Sequence, residues 1–172
     1  MTLLTTARTT LVPFAPADAD CLLRLFRNPA VRRYLLDGNM VSQEWVDAEI
    51  AGSAQRFMST GAGLWSANLN TGTGIIGFAG FREFFEPPQL QLIYGLLPAY
   101  WGRGLATEIA NCVSHHAFSA LGFTTLRAAI DSPNVASGRV LERLGFCESR
   151  SRDGHQDGTR FYELTRSDWL GS

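Results

Sequence analysis

Lysine is absent from this chain of 172 residues, and all fifteen basic side chains are arginine. That excludes a Schiff-base enzyme, a pyridoxal-phosphate anchor and the lysine of a P-loop. Cysteine is scarce. Cys21, Cys112 and Cys147 are odd in number and no two have CxxC spacing, which speaks against a disulfide framework or a zinc site. The three histidines, His115, His116 and His155, form no HExxH motif, so no metal centre is expected. No stretch approaches the roughly 20 apolar residues of a membrane helix. Neither sign of charge dominates, since the net charge is -1. The basic excess of a nucleic-acid binder is missing. What is present is an apolar share of 45 %, enough for a sizeable core. The length predicts one domain over residues 1–172, and the chain reads as cytoplasmic, with neither nucleic acid nor membrane as a partner.

Periodicity lays out the elements. "TLVPF" (10–14) predicts an edge strand, where proline is tolerated. "PADADCLLRLFRN" opens a helix whose stripe is Leu22, Leu25 and Phe26. A second helix covers 42–58, with Ser42 as its cap and Val46, Ile50, Ala54 and Phe57 on one face. Three strand-like runs follow at 64–70, 75–85 and 90–97, separated by short turns, which predicts an antiparallel meander. The longest helix starts near Leu105 and runs to Gly122, with Leu105, Ile109, Cys112, His116 and Ala120 on its apolar face. A strand at 124–130, a short helix ending at Gly145 and two strands around the polar turn "DGHQDG" (153–158) complete the chain. The helix between the strands at 90–97 and 124–130 makes them parallel neighbours.

Two glycine-rich stretches compete as ligand loops. "GTGIIG" (72–77) matches GxGxxG, but it opens a strand where a dinucleotide fingerprint opens a helix, so it reads as a hairpin turn. "PAYWGRGLATE" (98–108) has the right context, strand before and helix after. Gly102 and Gly104 permit close backbone approach. The first N–H groups of the helix are unsatisfied and partly positive, so a pyrophosphate fits there without any lysine. Thr107 adds a hydroxyl and Arg103 a charge at the rim. Further on, "DSPNVASGRVLERLGF" (131–146) sets Asn134 and Ser137 at a helix start, where capping is the plain reading.

Together these stretches resemble the GNAT superfamily of N-acetyltransferases, and within it the Rim type that acetylates N-terminal amines of ribosomal proteins. The superfamily pattern (Q/R)-x-x-G-x-(G/A) is met by Trp101, Gly104 and Ala106, with tryptophan leading as in the Rim type. "YGLLPAYWGRGLATE" and "NVASGRVLERLGF" match in order and spacing, as do "NPAVRRYLLDG", "SQEWVDAEI" and "FYELTRSDW". The resemblance implies an α/β (α+β) fold: a mixed, mostly antiparallel central sheet of six to seven strands, flanked by about four helices and splayed at the central strands. It implies acetyl-CoA as the acetyl donor. The pyrophosphate would lie on the amides of Gly102, Arg103, Gly104, Leu105, Ala106 and Thr107, beside Trp101. The pantetheine arm would pair with the strand edge at Leu96 and Leu97 and with Asn134. Dimers are common in the family, so a monomer or homodimer is implied.

The resemblance also distributes roles. A backbone N–H near Leu96 would stabilise the oxyanion. Ser137 would serve the leaving thiolate, because the tyrosine many relatives carry four residues later is Leu141 here. Gln91 stands where Rim-type proteins often have a glutamate base, leaving Glu83, Glu86 and Asp37 as unranked carboxylates. Glu108 reads as a partner for an arginine, His116 as a packed histidine, and Trp65, Phe84 and Phe85 as pocket or core. The best-fitting acceptor is a protein or peptide N-terminal amine. A small amine (amino-sugar antibiotic, polyamine or amino acid) and a non-catalytic acyl-CoA-binding module remain as alternatives.

Overall fold

The computed structural model describes residues 2–35, 38–149 and 158–171. Strands β1 (Leu4–Thr5) and β2 (Thr9–Pro13) lead into helices α1 (Ala19–Arg27), α2 (Pro29–Arg32) and α3 (Gln43–Thr60). The meander follows as β3 (Leu64–Leu69), β4 (Ile75–Phe84) and β5 (Gln89–Leu96). Then come α4 (Leu105–Ser119), β6 (Thr125–Asp131), α5 (Val135–Arg143), β7 (Cys147–Ser149), β8 (Thr159–Thr165) and α6 (Arg166–Leu170). Helix α3 starts where Ser42 Oγ accepts from the Trp45 N–H at 3.1 Å. The glycines at 72 and 74 sit in the turn before β4, as the hairpin reading requires.

The strands form two sheets, β1-β2-β3-β4-β5 and β6-β8-β7, and every pairing is antiparallel. The sequence predicts one sheet with the strands at 90–97 and 124–130 paired in parallel. In the structure β5 and β6 lie side by side but share no ladder among the described residues. The splay is a complete break. Three elements escape a periodicity reading because they are too short to show a period: β1, α2 and α6 have two, four and five residues. The polar turn read over 153–158 lies, except for Gly158, outside the described residues, as do Asp37 and His155.

Side chains alternate across β5, and each face joins its own core. Leu92, Tyr94 and Leu96 pack with Ile109, Val113 and Leu126 on the α4 side. Ile93 and Leu97 pack with Leu22, Phe26, Val46 and Phe78 on the α1–α3 side. The buried stripe of α4 is Leu105, Ile109, Ala110, Val113, Ser114, Ala117 and Phe118. It corrects the predicted stripe: Cys112 and His116 sit on its flank and Ala120 is exposed. The prediction follows the apolar letters, but Ala110, Ser114 and Ala117 are the small side chains that let α4 approach the sheet. Trp65 is wholly buried, with Phe57 edge-on at 4.6 Å and its indole N–H donated to the Thr2 carbonyl at 2.8 Å. It belongs to the core and lines no acceptor pocket. His116 packs against the same indole at 5.9 Å. Burial, and after it the neighbouring His115, lowers its pKa. The described residues contain no helix long and apolar enough to cross a membrane.

Candidate active site

The chain leaves β5 through a single 3-10 turn at Pro98–Tyr100 and enters α4 at Gly104. Gly102 and Gly104 both adopt left-handed backbone, with φ of 72° and 74°. These values turn the chain sharply enough to aim the start of α4 back at the strand end. Gly104 is the N-cap and has no side chain to offer, so the first amides of α4 carry no side-chain cap. They retain the partial positive charge of an open helix end. Trp101 is half exposed, and its indole N–H donates to the Leu96 carbonyl at 2.7 Å, closing the turn over the strand end.

A second clamp holds the turn from outside. Arg8 donates from Nη1 to the Arg103 carbonyl at 2.8 Å and from Nε to Glu108 Oε2 at 2.7 Å. Thr6 Oγ1 donates to Glu108 Oε1 at 2.5 Å. Glu108 is thus the arginine partner the sequence suggests. Its carboxylate stands in the first turn of α4, where a bound pyrophosphate would meet its charge; Arg8 neutralises it. Burial pulls this carboxyl upward, but the bonds from Thr6 and Arg8 outweigh burial and hold it below its ordinary pKa. An acid depressed in the folded state stabilises the protein above its unfolded-state pKa of about 4.3, and the contribution is lost as pH falls through the lower folded value. Glu108→Gln is therefore expected to lower Tm at neutral pH and to flatten the acid limb of Tm against pH. Thermal unfolding between pH 3 and 7 checks this; parallel curves for the two proteins would contradict it.

The edge of β5 that faces the break is open. Leu97 donates its N–H to the Ile76 carbonyl at 2.9 Å, and the register pairs Leu96 with Gly77. In an antiparallel ladder alternate residues bond to the same neighbour. The backbone groups of Tyr94 and Leu96 therefore point away from β4, into the break. The Leu96 carbonyl is taken by Trp101, and its N–H remains as a donor facing the opening. Leu97, by contrast, spends its N–H on β4, so of the two predicted edge residues Leu96 alone offers an N–H to the break.

Helix α5 supplies the opposite wall. Asn134 Oδ1 accepts from the Ser137 N–H at 3.3 Å, so the capping reading holds and the Asn134 amide nitrogen is still a donor. The Tyr94 hydroxyl spans the break and donates to the Ser137 carbonyl at 2.9 Å. Burial pushes this phenol well above its ordinary pKa, so it stays a neutral donor. The Tyr162 hydroxyl is also buried below α5, without a partner among the described residues. A Cβ on Gly138 would stand 3.3 Å from it. Leu141 is fully buried core, so no tyrosine projects from that place.

Thus Tyr94 and Ser137 meet across the break, with Asn134 capping the same helix and Leu96 two residues along the open edge, next to the turn at 101–104. Sequence reasoning misses Tyr94; the hydroxyl in "LIYG" is its one signal. Of the carboxylates it names, Glu83 and Glu86 are exposed around the β4–β5 hairpin. Phe84 carries the Arg82 guanidinium at 4.7 Å, and Phe85 reaches Phe161 of the other sheet at 5.6 Å. Gln91 is 2 % exposed and its Oε1 has no partner among the described residues.

Comparison with known proteins accounts for this arrangement. The acetyltransferase (GNAT) domain matches residues 8–147, and the chain belongs to this family. It is 29 % identical over 145 residues to the N-acetyltransferase YoaA of Bacillus subtilis (strain 168), covering 84 % of this chain and 82 % of that protein. Its fold matches the crystal structure of an acetyltransferase from Agrobacterium tumefaciens str. C58 at a TM-score of 0.83 and 23 % identity, over 95 % of this chain and 94 % of that one. It also matches RimL, a ribosomal L7/L12 alpha-N-protein acetyltransferase in complex with coenzyme A, at a TM-score of 0.78 and 15 % identity, over 95 % and 98 % of the two chains. The protein is an N-acetyltransferase that uses acetyl-CoA. The residues present fit that donor: an uncapped helix end for phosphate, an unpaired strand edge for an amide-bearing arm, and no lysine needed for either.

Proposed function

We propose that this enzyme acetylates the N-terminal α-amine of a protein or peptide, and that the Rim-type pattern of Trp101, Gly104 and Ala106, set at an uncapped helix start beside an open strand edge, carries the reading. Gln91 is an amide in the place where Rim-type proteins often have a glutamate, so that position cannot take a proton. An α-amine has a pKa of about 8, whereas a lysine-like alkyl amine has one of about 10.4. At pH 7 about a tenth of the first is uncharged without help, and less than about a thousandth of the second. With no carboxylate at this position, an α-amine is the acceptor that needs least help in losing its proton. The fold likeness to RimL supports the same acceptor class.

Each role then falls to a residue of this chain. The amides of 102–107 hold the pyrophosphate, and Asn134 and the β5 edge hold the pantetheine. The bound donor contributes a thioester, whose carbonyl is activated towards an amine. The Leu96 N–H, which faces the break, would serve that carbonyl oxygen as negative charge develops on it. Ser137, at the first turn of α5, would hydrogen-bond to the sulfur as the C–S bond breaks, the proton lost by the acylated nitrogen passing through water to the thiolate, and Tyr94 fixes that turn through the Ser137 carbonyl. No covalent enzyme intermediate is required.

Thiol release from acetyl-CoA with a panel of peptides, polyamines and aminoglycosides tests the assignment. Peptides are expected to turn over and to carry the acetyl group on their α-amine. Turnover confined to polyamines or aminoglycosides would overturn the reading, and so would binding of acetyl-CoA without turnover on any amine. The pH profile is a second check. Its rising limb in kcat/KM is expected to follow the pKa of the acceptor amine and to move when that pKa is changed. A limb fixed by the enzyme would point to a protein base. Ser137→Ala is expected to lower kcat by at least about a hundredfold, the low end for proton-transfer catalysis, with acetyl-CoA affinity unchanged. Full turnover in that variant would remove Ser137 from the mechanism.

A further inference from the structure

Helix α4 covers one face of β5, and the other, which carries Gln91, Ile93 and Gly95, packs on the α1–α3 core with Ile93 and Gly95 left half-buried. A charged cluster is built into that face. Arg82 of β4 donates from Nε to Glu49 Oε2 at 2.8 Å, and Arg56 donates from Nη2 to Glu49 Oε1 at 2.7 Å. Two guanidinium groups therefore share one carboxylate, and Glu49 is only 8 % exposed. One positive charge in the cluster is left unbalanced. It is accessible on Arg82, whose side chain is 21 % exposed while its Nε is committed to Glu49. The guanidinium lies 4.7 Å over the Phe84 ring and 5.7 Å from the Trp45 ring centre, which fixes its plane. Gln91 is the cross-strand partner of Arg82. Its buried Oε1, unpartnered among the described residues, is an acceptor beside that cation.

An uncompensated cation held partly out of water is unfavourable unless a partner arrives. A buried acceptor without a donor is unfavourable in the same way. Both deficits occur at one cross-strand pair. A molecule that brings a carboxylate and an N–H a few ångströms apart would satisfy both, the carboxylate on the Arg82 fork and the N–H on Gln91 Oε1.

We infer that Arg82 and Gln91 form a carboxylate-reading subsite, and that the preferred acceptor is an α-amine with an acidic side chain among its first residues. The inference rests on the α-amine reading of the acceptor. It also gives Gln91 a purpose, since a glutamate there would pair with Arg82 and silence it. An unbalanced cation on this face disfavours polyamines and aminoglycosides as well.

The test uses peptides identical except for an Asp, Ala or Lys pair directly after the N-terminal residue. Wild-type kcat/KM is expected to be higher for the acidic peptide than for the alanine peptide by about tenfold or more, the scale of one charge-assisted hydrogen bond. The lysine peptide is expected to be poorest, and the acidic advantage to shrink with added salt. Arg82→Gln should bring the acidic-to-alanine ratio towards one. Because that change leaves Glu49 with Arg56 alone, Gln91→Glu serves as the second variant: it keeps the Glu49 pairs and should erase the same ratio by occupying Arg82. Equal kcat/KM for the acidic and alanine peptides on the wild type would overturn the inference while leaving α-amine acetylation intact. Should no peptide turn over, the α-amine reading fails separately. Calorimetric binding of N-acetylated acidic and alanine peptides then decides the subsite, with tighter binding of the acidic one supporting it and equal binding overturning it.

Discussion

Gly104→Val is expected to raise the Kd for acetyl-CoA by roughly a hundredfold, the loss of about two charge-assisted hydrogen bonds. Gly104 holds φ at 74° as the N-cap of α4. A left-handed conformation costs an ordinary residue about 1–2 kcal/mol, and a β-branched one is worse placed still. Valine would relax towards negative φ, and the turn that aims the amides of 105–107 at the strand end would open. Little else resists the side chain, since the nearest atom to a Cβ there is Arg8 Nη2 at 3.6 Å. The loss should therefore fall on the anion site more than on the core. Gly74→Ala is the control. Gly74 has φ of 113°, no atom within 4 Å of its added Cβ, and a place in the turn before β4. It should lose comparable stability with acetyl-CoA affinity unchanged. Isothermal titration of both variants, beside their melting curves, separates the two effects. A Gly104→Val protein with wild-type affinity would contradict the assigned phosphate site.

Gly77→Ala is expected to lower kcat by about a hundredfold, the scale of a misplacement of about 1 Å at a reacting centre. Gly77 faces Leu96 across the β4–β5 ladder. A Cβ on it would collide with the Gly95 carbonyl oxygen and stand 3.0 Å from the Leu96 Cα. Both are backbone atoms with nowhere to rotate, so β5 must move away from β4 at the residue whose N–H faces the break. Overpacking of this kind destabilises by about 1–3 kcal/mol. Since the amides of α4 lie outside this contact, affinity for acetyl-CoA should fall less than turnover. Steady-state thiol release on the folded fraction, corrected by the melting curve, measures this. Unchanged kcat would mean that the Leu96 N–H does not need its observed position.

Much of this site is legible in the order of residues alone. The turn at 98–108 is legible because its chemistry is local: two glycines and a helix start directly follow an apolar strand end. Asn134 is legible as a cap for the same reason. What escapes depends on contacts between distant segments. Arg8 lies one hundred positions from Glu108 and secures the turn through it. Tyr94 reaches Ser137 over forty-three positions, and no periodicity encodes that bridge. Arg82 offers one signal, the one basic residue in the run "IIGFAGFREFF", and only the fold shows that Glu49 binds it and that Gln91 lies opposite. The break between the sheets escapes for a related reason. Strand β5 reads the same whether its outer edge is laddered or open, and the register with β4 decides which of its amides face outward.

Every role assigned above requires acetyl-CoA to lie between the open edge of β5 and the uncapped start of α4. Amide hydrogen exchange with and without the donor probes that placement residue by residue. Slower exchange is expected at Tyr94, Leu96 and the amides of 102–107 when acetyl-CoA is present, with the glycine turn at 72–77 unchanged. Protection centred on 72–77, or none at Leu96 and 102–107 under saturating acetyl-CoA, would contradict it.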